Sequence, residues 1–130
     1  MHRALPLLIA AMLVAGCGSD APESAAVPST VSVAEAAELR GDGAFVLDVR
    51  EPGEWVEGHI PGATLIPLGS LEARSDEVPR DQTIVVVCRS GNRSAEGRDI
   101  LIAAGFPEVT SLDGGMDDWA RQGQPIETGD

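Results

Sequence analysis

Residues 83–94 read TIVVVCRSGNRS, and this stretch decides the fold. Residues 84–87 are apolar and β-branched with no polar alternation, which predicts a strand buried on both faces, as in a parallel sheet. The polar run from Cys88 to Arg93 contains a glycine and an asparagine and predicts a turn-rich loop. Apolar residues then recur at helical spacing over residues 94–104, and Gly105 ends the predicted helix. A strand, a loop and a helix in this order form the unit of an α/β domain.

The flanking sequence continues the alternation of strands and helices. Further strands are predicted at residues 30–33, 45–49, 64–66 and 109–112. Ser32 and Glu35 form a capping-box pattern that opens a helix through about Arg40. Helical turns or short helices are predicted at residues 52–56, 68–73 and after Gly114, with an exposed polar connection over residues 75–82. The sequence therefore predicts an α/β fold with a mostly parallel sheet.

Composition and charge exclude several classes of protein. The chain has 130 residues, of which 43% are hydrophobic and 23% are charged, which suits one globular domain. Nine basic residues, all of them arginine, stand against 21 acidic residues, so a cationic face for nucleic acid is disfavoured. Two cysteines allow at most one intrachain disulfide, and His2 and His59 are isolated. We therefore expect neither a metal site nor a cofactor.

The N-terminus has the features of an export signal. A short basic start precedes an apolar run over residues 4–15, which is too short to span a membrane permanently. The run ends in LVAGC, which resembles a bacterial lipobox, so residues 1–16 are predicted to be a signal peptide and Cys17 the lipidation site. This implies a domain in the bacterial cell envelope, facing the periplasm or the exterior and held to a membrane only by lipid. The alternative is a plain secretory signal with an incidental cysteine.

Residues 17–28 are predicted to be a lipidated tether, and residues 29–127 the folded domain. The segment GSDAPESAAVP at residues 18–28 is small, polar and contains proline, which is typical of a flexible linker. The alternative is an ordered arm that packs on the domain.

The chemistry is predicted to lie where the buried strand ends, because ligands in open α/β sheets bind beyond the carboxyl ends of the strands. Gly91 allows a positive φ, and Asn92 tolerates one, so the loop can point its backbone N–H groups inward as an anion-binding nest. Arg89, Arg93 and the start of the following helix add positive charge, which favours the thiolate of Cys88. A cysteine after a buried strand can also be an inert core residue, but the six polar or glycine residues after it favour a reactive nucleophile.

The sequence resembles the rhodanese family of sulfurtransferases over about residues 33–122. CRSGNRS at residues 88–94 looks like the family's active-site loop, and Asp48-Val49-Arg50-Glu51 and GHIPGA at residues 58–63 look like its upstream signature. GGMDDW at residues 114–119 looks like its C-terminal signature. The resemblance implies a three-layer α/β/α sandwich on a five-stranded, mainly parallel sheet.

The resemblance also implies a reaction. Cys88 would take a sulfur from a small anionic donor such as thiosulfate, become a persulfide and pass the sulfur to cyanide or a thiol. The substrate would be bound by the rest of the loop, namely Arg89, Ser90, Gly91, Asn92, Arg93 and Ser94. Related phosphatases carry one more residue between the cysteine and the arginine, so the short loop disfavours phosphatase activity.

Other polar residues are interpreted as structural. Asp48, Arg50 and His59 are expected to brace the neighbouring loops, and Glu51 and Glu54 are expected to be solvated acids at the start of a helix. The alternative to an enzyme is a persulfide carrier or a partner-binding module of the same fold at the membrane surface.

Overall fold

The computed structural model describes residues 26–130. The predicted signal peptide, Cys17 and most of the predicted tether lie outside the described residues. Within residues 26–130, no helix combines the length and apolar character that crossing a membrane requires.

In the described part of the chain, five strands form one sheet in which every neighbouring pair is parallel. The strands are β1 (Thr30–Val31), β2 (Phe45–Asp48), β3 (Thr64–Leu65), β4 (Ile84–Val87) and β5 (Val109–Leu112). Their order across the sheet is β1-β5-β4-β2-β3, with β4 in the middle. The fold prediction is confirmed, and the sheet is parallel throughout.

Residues 26–130 also form five α-helices, of which the first four lie between successive strands and the fifth follows β5. They are α1 (Val33–Gly41), α2 (Pro52–Glu57), α3 (Leu68–Leu71), α4 (Asn92–Ala103) and α5 (Gly115–Arg121), with a 3₁₀ helix at Ser75–Glu77. Helix α1 begins as predicted, because the Ser32 side chain accepts a hydrogen bond from the backbone N–H of Glu35. Helix α4 begins two residues earlier than predicted, because Gly91 has a φ of 112° and turns the chain directly into the helix.

Alternate residues of β4 point to opposite faces of the sheet, and both faces are covered. Ile84 and Val86 pack in one core with Leu71 of α3 and Leu101 of α4. Val85 and Val87 pack in the other core, which the side chains of α1 and α5 complete: Val33, Ala36, Met116 and Trp119. The prediction that β4 is buried on both faces is confirmed, and the three layers follow from it.

The prediction that residues 75–82 form an exposed polar connection is wrong for Val78. Val78 is only 4% exposed and packs in the same core as Ile84 and Phe106. The 3₁₀ helix ends there, and the extended backbone of Val78 directs its side chain under the sheet. Local polarity did not indicate this, because the flanking residues are charged or proline.

The strand order reverses between β2 and β4. The chain moves outward from β2 to β3 on one side and outward from β4 to β5 on the other. Because Asp48 pairs with Val87 in register, the carboxyl ends of β2 and β4 meet side by side. This is the position in an open α/β sheet where ligands bind, and Cys88 lies directly after it.

Candidate active site

Cys88 lies at the carboxyl end of β4 with 1% of its surface exposed. The backbone N–H of Gly91 donates to Sγ at 3.1 Å, and the Ser94 hydroxyl lies 3.4 Å from Sγ. Burial raises the pKa of the Cys88 thiol, but the Ser94 hydroxyl and the backbone N–H groups of Ser94, Gly91 and Ser90 outweigh it, so the pKa is lowered. Donors converging on one sulfur stabilise a thiolate and make it a nucleophile.

The start of α5 holds the backbone on the other side of this loop. The N–H of Met116 donates to the carbonyl of Cys88 at 2.8 Å, and the N–H of Asp117 donates to that of Arg89 at 3.1 Å. Gly115 permits this approach, because a Cβ there would lie 2.4 Å from the Cys88 carbonyl oxygen. Sequence analysis placed a family signature here but missed the contact.

The Ser94 hydroxyl links the sulfur of Cys88 to two further polar groups. Its hydroxyl lies 3.0 Å from the carbonyl oxygen of Gly91 and 2.7 Å from the hydroxyl of Ser111 on β5. Ser94 and Ser111 are both buried. Sequence analysis assigned Ser94 to the site but missed Ser111, whose signal was a hydroxyl residue within a short buried strand.

Arg93 forms a two-bond ion pair with Glu54 of α2. Its two terminal nitrogens donate to the two carboxylate oxygens at 2.7 and 2.9 Å. Hydrogen bonding from Arg93 lowers the pKa of Glu54 to about 2, against the opposing effect of burial. The expectation that Glu54 is a solvated acid is wrong. Because α4 starts early, Arg93 lies on its first turn and faces α2. Glu51, by contrast, is exposed and caps α2.

The remaining loop side chains face solvent. Arg89 has a side chain that is 70% exposed, and its Nε lies 3.8 Å from a carboxylate oxygen of Asp117. Ser90 and Asn92 are exposed. Of the six residues predicted to bind substrate, Gly91 and Ser94 contact the sulfur directly, and Ser90 contributes its backbone N–H. Arg89 and Asn92 lie on the open side of the loop.

Asp48 and Arg50 form a buried ion pair beside the site. Nε of Arg50 donates to Oδ1 of Asp48 at 3.0 Å, and a terminal nitrogen donates to Oδ2 at 2.7 Å. The same nitrogen donates to the carbonyl of Gly58 at 2.8 Å. The pair thus ties the end of β2 to the loop after α2.

His59 is buried within that loop. Its Nδ1 donates to the carbonyl of Trp55 at 2.8 Å, and its ring stacks on the Trp55 ring with centroids 3.6 Å apart. Its backbone pairs with Glu127 in an antiparallel bridge. These contacts join the loop to Trp55 and to the C-terminal segment.

An open cleft of about 430 Å³ lies next to the loop. It is lined by Arg50, Glu54, Glu57, Gly58, Arg89, Met116, Asp117, Ala120 and Ile126. The lining therefore carries two arginines and three acids together with apolar side chains of α5 and the C-terminal segment. Within residues 26–130, no three His, Cys, Asp or Glu side chains cluster as a metal site. The cleft gives a small molecule or an extended thiol a route to the loop.

Known proteins are similar to this chain in sequence and in fold. The family model described as Rhodanese-like domain matches residues 32–122. A protein of Allochromatium vinosum named Sulfurtransferase is 39% identical over 82 residues, which cover 63% of this chain and 77% of that protein. Thiosulfate sulfurtransferase GlpE of Ectopseudomonas mendocina is 39% identical over 98 residues, covering 75% of this chain and 89% of that protein.

A solved structure shows the same architecture. The crystal structure of a rhodanese-related protein from Thermoplasma volcanium matches with a TM-score of 0.73 and 30% sequence identity. The match covers 78% of this chain and all of that one.

Proposed function

This chain belongs to the rhodanese-like domain family, and we propose that it is a sulfurtransferase that works through a persulfide on Cys88. Relatives named as sulfurtransferases support a rhodanese-type sulfur-transfer role. The observation that carries the proposal is the pair of groups on Sγ: the backbone N–H of Gly91, which donates to it at 3.1 Å, and the Ser94 hydroxyl at 3.4 Å, which lowers the pKa of Cys88. In this proposal the donor is a small anion such as thiosulfate, and the acceptor is cyanide or a thiol.

The proposed reaction consists of two displacements at sulfur. The Cys88 thiolate attacks the outer sulfur of thiosulfate, the donor's sulfur–sulfur bond breaks, and the electron pair leaves with sulfite. Cyanide or a thiolate then attacks the outer sulfur of the persulfide, and the electron pair returns to Sγ. The thiolate is regenerated, and neither step needs an external oxidant or reductant. The negative charge stays on sulfur throughout, where preorganised N–H donors stabilise it most.

The side chains around the loop take different parts in this proposal. Arg89 is exposed beside the cleft, where it is placed to attract an anionic donor, although Asp117 at 3.8 Å offsets part of its charge. Arg93 orders α2 against α4 through Glu54, so its charge is already compensated. The Asp48–Arg50 pair and His59 hold the loops that form the cleft wall.

A second candidate function is a persulfide carrier or partner-binding module, in which a protein rather than a free anion supplies the sulfur. The charges at the site favour it, because Arg93 is paired with Glu54 and Arg89 faces Asp117. A free dianion gains most from uncompensated cations, whereas a persulfide on a partner protein does not require them.

The test is direct loading of the protein with sulfur. After incubation with thiosulfate, mass spectrometry of the peptide containing Cys88 should show one added sulfur atom, which cyanide then removes. Cys88→Ser should keep the fold and lose the transfer, because a serine hydroxyl is far less acidic than a thiol. Persulfide formation with a protein persulfide but not with thiosulfate would favour the carrier. Sulfur transfer by Cys88→Ser at the wild-type rate would overturn both.

We also propose that the protein is exported and anchored in the bacterial cell envelope through lipid on Cys17. The support is the order of basic start, apolar run and LVAGC in the sequence. The full chain should fractionate with membranes, and Cys17→Ser should release it or leave it unprocessed. A cleaved, soluble protein with an unmodified Cys17 would contradict this proposal.

A further inference from the structure

Ser111 has a hydroxyl with one partner in the described part of the chain. The Ser111 and Ser94 oxygens lie 2.7 Å apart, and Ser111 is 1% exposed. If Ser94 donated to Ser111, the proton of Ser111 would be left buried without an acceptor, which is costly. If Ser111 donates to Ser94, both protons are used. Counting protons therefore makes Ser111 the donor.

With Ser111 donating, the single proton of Ser94 has two acceptors to choose from. One is the carbonyl oxygen of Gly91 at 3.0 Å, and the other is Sγ of Cys88 at 3.4 Å. When Cys88 is a thiol, its S–H can donate to Ser94, and Ser94 can donate to Gly91. When Cys88 is a thiolate, the charge draws the proton of Ser94 to the sulfur, since hydrogen bonds to ionised groups are the stronger ones.

The Ser111 hydroxyl therefore stabilises the site more when Cys88 is a thiolate than when it is a thiol. A thiolate donates nothing to Ser94, so without Ser111 the buried Ser94 oxygen would donate and accept no hydrogen bond in return. The Ser111 bond also polarises the Ser94 hydroxyl, because hydrogen bonds in a chain strengthen one another in a low dielectric. The chain Ser111 to Ser94 to Cys88 therefore favours anionic sulfur.

We propose that Ser111 is a positioning residue for sulfur transfer, which donates to Ser94 and thereby directs the Ser94 proton to the sulfur of Cys88. Within residues 26–130, Ser111 forms no hydrogen bond with Cys88, and it does not line the cleft. Its role passes entirely through Ser94. This inference rests on the proposed function, but it predicts a property of the thiolate that can be measured without any sulfur donor.

The strand supplies a matched control. Thr110 is also buried, and within residues 26–130 its hydroxyl has no hydrogen-bond partner. Thr110 pairs in register with Val85, whereas Ser111 pairs with Val86, so the two side chains face opposite layers. Thr110→Val removes a hydroxyl from the same strand without touching Ser94.

The experiment measures the pH dependence of Cys88 alkylation by iodoacetamide in the full chain, read on the peptide that contains Cys88. Ser111→Ala should raise the midpoint by about half to one pH unit, the size of one hydrogen bond that favours the charged form. Ser111→Thr, which keeps the hydroxyl, should restore the wild-type midpoint, and Thr110→Val should leave it unchanged. Ser94→Ala should raise it at least as far as Ser111→Ala.

The double variant Ser94→Ala/Ser111→Ala decides whether Ser111 acts through Ser94. Its midpoint should equal that of Ser94→Ala, because Ser111 then has nothing left to direct. A wild-type midpoint in Ser111→Ala, an equal shift in Thr110→Val, or full additivity in the double variant would overturn the inference. Failure of wild-type protein to form a persulfide would instead contradict the proposed function and leave these midpoints readable.

Discussion

Arg93 and Glu54 lie 39 residues apart in sequence, and their side chains meet in a two-bond ion pair next to the Cys88 loop. The pair joins the first turn of α4 to α2, so the helix that follows the nucleophile is fixed to a wall of the cleft. It also compensates the charge of an arginine that sequence reasoning assigned to the substrate.

Glu54→Gln should lower the KM for thiosulfate. The substitution frees the Arg93 guanidinium from its carboxylate, and one added unit of positive charge should lower KM roughly threefold at low ionic strength. Added salt should remove the effect because it screens exposed charges. Steady-state kinetics at two salt concentrations measure this change.

Glu57→Gln is the matched control for Glu54→Gln. Glu57 lines the same cleft, and its substitution changes the net charge equally without freeing Arg93. Equal decreases in KM for the two variants would mean that overall charge, and not Arg93, governs the donor.

The same pair should make stability depend on pH in a defined acidic range. The pKa of Glu54 is lowered from 4.5 to about 2, so its ionised form stabilises the fold above pH 4.5. That contribution is lost as the pH falls toward 2. Because the pair is part-exposed, Glu54→Gln should cost only about 1 kcal/mol at pH 7. Urea unfolding followed by circular dichroism should show this difference shrinking between pH 4.5 and 2. A difference that is constant over this range would contradict the assignment.

The sheet was predictable from sequence, because β4 is a continuous apolar run and its burial on both faces follows from local pattern. The position of Cys88 followed from the same run. The partners of the loop were not predictable, since Glu54 and Ser111 are separated from Arg93 and Ser94 by 39 and 17 residues. Such contacts depend on how the helices pack on the sheet.

The start of α4 shows the same limit at shorter range. The sequence indicated a turn at Gly91, but the backbone enters the helix immediately after that residue. The two-residue error changed the interpretation of Arg93. As a loop residue it was expected to face the ligand, but on the first turn of α4 it faces Glu54 of α2. Capping geometry thus decided which arginine stayed exposed.

Arg89→Gln should weaken binding of an anionic donor without changing the fold. The Arg89 side chain is 70% exposed beside the cleft, so its loss should raise KM for thiosulfate about three- to tenfold and leave kcat nearly unchanged. Arg121→Gln is the control, since Arg121 is equally exposed on α5 but lies outside the cleft lining. A similar rise in KM for both variants would assign the effect to net charge.

Gly115→Ala should displace the backbone of the Cys88 loop, against which Gly115 packs. A Cβ at this position would lie 2.4 Å from the Cys88 carbonyl oxygen and 2.6 Å from that of Arg89, and φ is 56°. We expect a loss of about 2 kcal/mol or more in the free energy of unfolding, with reduced sulfur transfer. Gly123→Ala separates the two causes, because Gly123 also has a positive φ but no atom within 4 Å of its Cβ position. A loss in Gly115→Ala no larger than in Gly123→Ala would show that the contact with the loop is unimportant.

The predicted boundary at residue 29 can be tested against a contact that the structure adds. Val27 is partly buried against the core that contains Val31, although it was assigned to the tether. The carbonyl of Ser29 accepts a hydrogen bond from the backbone N–H of Ser111, and β1 begins at Thr30. Val27 therefore lies outside the strand. A chain that begins at Ser29 should therefore fold and transfer sulfur, but its unfolding free energy should be about 1 kcal/mol lower than that of a chain beginning at Ala26. Val27→Ser in the longer chain should reproduce the loss, since it removes the same apolar contact without shortening the chain. Equal stability of all three proteins would restore the whole of residues 17–28 to the tether, whereas failure of the shorter chain to fold would move the boundary to before Val27.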